Sequence, residues 1–273
     1  ALPERLGDSD NEMTPEQNRS EILARLGTDI LFLGVGVDRI DYTKGLLERF
    51  RGIECFLDSY PNYREQFTFV QFAAPSRTSI KRYQDFVSEV QAEADRINQR
   101  LQTETWQPIL LLSRHHSHRE IEPFYKAADF CLLTSLHDGM NLVAKEFIAA
   151  QIEQRGVLLC SEFAGAAEEL SNALLINPYD IEGVAETLRQ ALEMSPEEKA
   201  HRMARLQEYL AEYNIYKWLV DVFTTLARLR EENNGPSTAL SAWRYLGTVF
   251  QGCLATGNDL MQMSSKILRL GEE

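Results

Sequence analysis

The chain has 273 residues, 44% apolar and 25% charged, the proportions of an ordinary soluble globular protein with one large domain or two small ones. Its formal charge of −13 argues against a nucleic-acid surface or an anionic-membrane patch as the main function, while leaving room for a local basic pocket. No apolar run approaches the roughly 20 residues of a membrane span, and the polar, acidic opening ALPERLGDSDNEMTPEQNRS is unlike a signal peptide.

Residues 1–28 open without Met, show no apolar period at the start and read as a linker leading into the domain. Residues 29–37 (DILFLGVGV) form a short apolar strand ending at the polar turn DRIDYTKG, and Leu46, Leu47, Phe50, Ile53 and Leu57 then recur at helical spacing. The alternation continues with strands over 67–74, 108–113, 130–134, 157–160 and 173–176. Between them lie helices over 79–100, 120–128, 141–154 and 180–194 and a helical turn over 166–170. Short, continuously apolar strands separated by helices predict an α/β fold over 29–194, a doubly wound, Rossmann-like parallel sheet covered on both faces. Helices over 196–213 and 215–232 trail it within a segment 195–235. Ser195 is placed to cap the first of these, Pro196 suits its first turn, and Glu197 and Glu198 suit the positive end of its dipole. Asn233-Asn234-Gly235-Pro236 then breaks the chain, and Leu240, Trp243, Leu246, Phe250 and Leu254 suggest an amphipathic helix in the 236–273 tail. The scattered cysteines Cys55, Cys131, Cys160 and Cys253 form no metal-ligand spacing; buried free thiols and a cytoplasmic, reducing setting are expected.

In open α/β sheets, ligands bind beyond the carboxyl ends of the strands, so the polar segments after each strand carry the candidates. In VDRIDYTKG, Arg39 and Lys44 stand five residues apart just before a helix, where two cations and free helix N–H groups can converge on a diphosphate. The alternative is a solvated loop whose cations pair with Asp38 and Asp41. In APSRTS, Arg77 can hold a phosphate or simply stay exposed beside a helix capped by Ser76, Thr78 or Ser79. The run SRHHSH holds three histidines in four residues, too compact for all to converge on a metal, and reads as a polar rim with one histidine able to touch ligand. In SLHDGMNLVAKE, a strand ends at Thr134, Gly139 permits close backbone approach, and a helix begins near Asn141 with free N–H groups facing outward. Asp138 and Glu146 suit sugar hydroxyls rather than phosphate; an anion at the helix tip with a ribose beside it uses both features, whereas an ordinary cap with a surface acid uses neither. The small residues of SEFAGAAEE permit close approach either to a ligand or to a neighbouring element.

In this order and spacing VDRIDYTKG, APSR, LHDGMNLVAKEF and SEFAGAAEEL resemble the carboxy-terminal, nucleotide-sugar-binding domain of trehalose-6-phosphate synthases, retaining glucosyltransferases of the two-Rossmann GT-B architecture. The match runs from about residue 31 to 176 and on toward 232. A GxGxxG fingerprint and the DxDGT phosphatase motif of fused relatives are absent. The resemblance implies that Arg39 and Lys44 bind the donor diphosphate and stabilise the leaving group. It implies that Glu146 binds the ribose, with the backbone of Leu142 and Val143 near nucleotide and phosphates, Asn141 at the helix tip, and Asp138 with the Gly139 and Met140 backbone on the transferred glucose. Arg77 is implied to meet the phosphate of a sugar-phosphate acceptor. His116 falls where family members carry phenylalanine beside the base, and His137 where many carry arginine. The donor is expected to be UDP-glucose or ADP-glucose, with no metal or other cofactor. The acceptor is glucose 6-phosphate or, as in glucosylglycerol-phosphate synthases, another phosphorylated compound; a non-catalytic nucleotide-sugar-binding module is the reading from a different class. The resemblance also implies that the amino-terminal domain carrying most of the acceptor pocket lies outside this chain, which is then expected not to catalyse transfer alone. A homo-oligomer is left open.

Overall fold

The computed structural model describes residues 14–26, 30–77, 79–213 and 215–234. The chain divides into two compact units, Ala1–Ala211 and Glu212–Glu273. The predicted tail helix, Cys253 and the first 13 residues lie outside the described residues.

The first unit begins with α1 (Pro15–Leu26). This segment was expected to be linker; it is a helix because Thr14 and Gln17 cap it reciprocally and its apolar residues meet a neighbour. Thr14 N donates to Gln17 Oε1 at 3.0 Å and Gln17 N to Thr14 Oγ1 at 3.3 Å. Ile22 is buried, with Leu23 and Leu26 beside the core. The sheet follows as β1 (Phe32–Ile40), β2 (Phe67–Pro75), β3 (Ile109–Leu112), β4 (Phe130–Leu133), β5 (Val157–Ser161) and β6 (Leu174–Ile176). Its helices are α2 (Leu46–Ser59), α3 (Lys81–Leu101), α4 (His118–Ala127), α5 (Leu142–Ala150), α6 (Ala166–Glu169), α7 (Ile181–Glu193) and α8 (Pro196–Glu212). All strand pairs are parallel and the order is β3-β2-β1-β4-β5-β6, the doubly wound arrangement. Chain direction along the sheet reverses between β1 and β4, so their carboxyl ends frame the crevice where such folds bind ligands.

The strands alternate sides although they read as uninterrupted apolar runs. Phe130 and Leu132 of β4, Phe67 and Phe69 of β2, and Val157 and Leu159 of β5 share one core with Phe50, Ile53, Val90, Ile97 and Leu188 from α2, α3 and α7. Cys131 and Leu133, Val70 and Phe72, and Leu158 and Cys160 face the other, with Phe124, Phe147, Ala166 and Met203 from α4, α5, α6 and α8. Period-2 alternation thus survives beneath a sequence that cannot show it, since both faces are covered. Cys131 and Cys160 are buried free thiols; burial pushes Cys160 up to about 12 and raises Cys131 further, so both stay protonated.

Element ends moved. β1 runs three residues past its predicted end because Asp38, Arg39 and Ile40 continue the ladder opposite Ala73, Ala74 and Pro75 of β2. None of the serines or threonines of APSRTS was found capping α3, whose N-cap is Ile80 without a side-chain cap bond; Thr78 lies outside the described residues. α5 stops at Ala150 because Gln151, its C-cap, turns its amide inward, accepting from Gly156 N at 2.8 Å and donating to the carbonyl of Tyr125. In the second unit the described residues form α9 (Ile215–Asn234), where Lys217 and Asp221 pair across one turn at 3.2 Å. No described helix is long and apolar enough to cross a membrane.

Candidate functional site

Beyond Ile40 the chain makes a single 3-10 turn, Tyr42–Lys44, capped by Asp41, whose Oδ1 accepts from Thr43 N at 3.0 Å and Thr43 Oγ1 at 2.9 Å. Burial acts to raise the Asp41 carboxyl, but the Thr43 hydrogen bonds and then the charges of Arg39 and Arg77 hold it below the usual carboxylate range. Gly45 follows at φ 61°, and a Cβ there would lie 2.0 Å from the carbonyl oxygen of Thr134. Only glycine fits, and the fit brings the loop after β1 onto the loop after β4: Leu136 N donates to Thr43 O at 2.8 Å, and Thr134 Oγ1 to Gly45 O at 2.8 Å. Lys44 consequently reaches across to Asp138, Nζ to Oδ2 at 2.6 Å. Neither Asp38 nor Asp41 takes Lys44, as a merely solvated loop would have it.

The β4 loop is held from the other side. Asn141 sits at φ 74° and caps α5: Oδ1 accepts from Ala144 N at 3.1 Å while Nδ2 donates to Asp138 Oδ2 at 3.2 Å and Ser135 Oγ at 3.3 Å. This leaves the N–H groups of Leu142 and Val143, at the first two helical positions, as donors at the positive end of the helix dipole. The SEFAGAAEE loop supports neighbouring backbone: Gly165 N donates to Asp138 O and Ala166 N to Met140 O, each at 2.9 Å, and a Cβ on Gly165 would lie 2.2 Å from Gly139 O. At Gly139 itself a Cβ would meet nothing within 4 Å of the protein, so the protein leaves that side of the backbone open.

These loops enclose a cavity of about 640 Å³ whose lining includes Arg39, Lys44, His116, Asp138, Met140, Asn141, Leu142, Val143 and Glu146. Gly139 and Arg77 are not among the lining residues. Arg77, at φ 48°, lays its guanidinium 5.2 Å over the Tyr83 ring and donates to Tyr83 Oη at 2.7 Å. His116 is buried edge-on against Phe72, ring centroids 4.9 Å apart, with Nδ1 3.6 Å from Glu120 Oε1. Burial, then the Arg114 charge, lowers its pKa, so the ring is neutral and acts as an aromatic wall. Glu146 is exposed on α5, and one carboxylate oxygen, Oε2, accepts from Tyr125 Oη at 3.2 Å.

The sequence reading missed Arg49. It is fully buried on α2, and its Nε donates to Thr134 Oγ1 at 3.0 Å and its Nη1 to Gln71 Oε1 at 2.6 Å. Nη1 also lies 2.8 Å from Asp38 Oδ2, a contact of charges rather than an aligned hydrogen bond. Burial, outweighing Arg49 and Lys44, raises the Asp38 carboxyl. The guanidinium therefore ties together β1, β2, β4 and the start of α2 directly beneath the cavity. The signal was present: Arg49 lies three residues after Leu46 and four before Ile53, on the helix's apolar face.

Two phosphate-sized donor groups, cationic side chains and a helix tip, with carboxylates set to either side, suit a phosphorylated ligand bearing hydroxyl groups. The family model for glycosyltransferase family 20 matches residues 4–228. The chain belongs to that family. Within it, the trehalose-6-phosphate synthase of Salmonella arizonae is 40% identical over 206 residues, covering 72% of this chain and 44% of that protein. A UDP-forming α,α-trehalose-phosphate synthase from Burkholderia xenovorans, solved in complex with glucose-6-phosphate, superposes with a TM-score of 0.72 at 38% identity over 78% of this chain and 46% of that one. An E. coli structure of trehalose-6-phosphate bound with UDP-2-fluoro glucose gives 0.72 at 36% identity over 80% and 48%. This family member thus has the α/β sheet of those GT-B structures and spans less than half the length of the relatives it matches.

Proposed function

We propose that the chain is the donor-binding half of a retaining glucosyltransferase that makes α,α-trehalose 6-phosphate from UDP-glucose and glucose 6-phosphate. What supports this above all is the meeting of Arg39, Lys44 and the amino-terminal tip of α5 around one cavity at the β1/β4 crevice, in a member of glycosyltransferase family 20. In this reading the diphosphate lies between the two cations and the Leu142 and Val143 N–H groups, the ribose at Glu146, and the base toward His116. The glucose hydroxyls meet Asp138 and the Gly139–Met140 backbone. Arg77 serves the acceptor phosphate, for which its guanidinium leaves Tyr83.

As the glycosidic bond to the nucleotide breaks, the diphosphate gains negative charge and the sugar oxocarbenium character. Cations and fixed N–H dipoles stabilise the first without a metal, and Asp138 lies beside the second. Attack from the same face by the acceptor hydroxyl gives retention without an enzymic nucleophile, so positioning supplies much of the rate. Most of the acceptor pocket belongs to an amino-terminal domain that closes over the cleft, and the assembly works in the cytoplasm.

Lys44→Ala tests the reading by titration calorimetry with UDP. Losing a charge-assisted contact to a phosphate is expected to weaken binding roughly 10- to 100-fold. Unchanged affinity in a folded variant removes Lys44 from the diphosphate site. Parallel titration with ADP distinguishes the donor nucleotide.

A further inference from the structure

Glu146 presents a problem for a ribose-binding group. It is exposed, and a free glutamate samples several rotamers whose loss on ligand binding reduces affinity. The structure limits that freedom from below. Tyr125, on α4, has no exposed surface, and its ring meets Phe147 of α5 edge-on with centroids 6.1 Å apart and planes at 75°. Its carbonyl oxygen accepts from the Gln151 side chain at the end of the same helix. The backbone of Tyr125 and its ring are thus each held against α5, and its hydroxyl donates to Glu146 Oε2 at 3.2 Å. A phenol buried without a partner is costly, so the bond is favoured from the tyrosine's side as well.

We propose that Tyr125 is a positioning residue for Glu146: the buried phenol holds Oε2 and so presents Oε1 to the hydroxyls of a nucleotide ribose in the cavity. This rests on the reading of Glu146 as the ribose partner. Burial first, then the neighbouring Cys131 and Glu146 groups, raises the Tyr125 hydroxyl well above the ordinary tyrosine range, so it remains a donor at any working pH. The phenol touches no substrate; it acts by ordering a carboxylate before the ligand arrives.

The test is a cycle between protein and ligand, titrating the 273-residue chain with UDP and with 2′,3′-dideoxy-UDP. Wild type is expected to prefer UDP. Tyr125→Phe, which keeps the buried ring, is expected to bind UDP about three- to tenfold more weakly and the dideoxy analogue as wild type does. Glu146→Gln is expected to lose most of the preference. Equal weakening toward both ligands, or no weakening toward either, in Tyr125→Phe overturns the positioning role and leaves Glu146 untouched. A preference that survives in Glu146→Gln overturns the ribose reading and this inference with it, as does a wild type that binds UDP no better than the analogue or not at all. Thermal unfolding of each variant separates lost binding from lost folding.

Discussion

Gly45 and Gly139 lack a side chain for opposite reasons. At Gly45 a left-handed φ of 61° and a carbonyl oxygen 2.0 Å from any Cβ make glycine a folding requirement. At Gly139 nothing lies within 4 Å of where a Cβ would be, so a methyl group has room in the protein, while in the proposed complex the Gly139–Met140 backbone meets the glucose. Gly139→Ala is therefore expected to change stability by no more than about 0.5 kcal/mol. It should weaken UDP-glucose binding while leaving UDP binding as it is, measured by calorimetry with both ligands. Equal affinity of variant and wild type for UDP-glucose takes Gly139 out of the sugar pocket. That Arg39, Lys44 and Glu146 stand near the carboxyl ends of strands, where the cavity lies, was legible from spacing. That Lys44 pairs with Asp138 was not, because the two are 94 residues apart.

Helix α2 shows how an element can carry a cost that packing must offset. Its apolar stripe docks on the sheet, yet Arg49 on that stripe has no exposed side-chain surface and Asp38 opposite only 2%. Removing one charge of a buried pair strands the other, a penalty of roughly 3–5 kcal/mol. Arg49→Met is expected to destabilise by about that much in denaturant unfolding, and Arg49→Met with Asp38→Asn by clearly less. A double variant as unstable as the single one shows that the guanidinium acts through Thr134 and Gln71 rather than through Asp38. Helix α1 makes the converse point. Thr-x-x-Gln with proline between is a start signal present in a segment read as linker; its apolar residues are few and take meaning only against α4, where Asn18 Nδ2 donates to Pro123 O at 2.9 Å.

The charge of the whole chain is −13, yet the cavity gathers Arg39, Lys44 and Arg114 where the sheet reverses direction. The lining also holds Asp38, Asp138 and Glu146, so the placement of the cations at the proposed diphosphate, rather than the sign of the whole cavity, is what salt is expected to screen, weakening nucleotide binding. The donor groups come from the end of β1, the turn after it and the start of α5, whereas Arg77 is turned onto Tyr83 and away from the lining. The 273-residue chain alone is expected to bind UDP-glucose while transferring no measurable glucose to glucose 6-phosphate in an assay of UDP release. Turnover by this chain alone would show that the acceptor site is complete within it.

Apart from α1, strand and helix identity, the α/β class and the segments proposed to carry chemistry follow from the order of residues, because apolar period and glycine signals are local. Strand order, the carboxylate that meets Lys44, the glycine that bears the close contact and the buried arginine beneath the loops belong to the folded chain. The Lys44–Asp138 and Arg49–Thr134 contacts depend on pairing between β1 and β4 across about a hundred residues of sequence, with Gly34 opposite Phe130, and the Gly165 contact on pairing between β4 and β5. Local propensity carries no information at that range; the contact arises only when covering both faces of the sheet brings the two strands together.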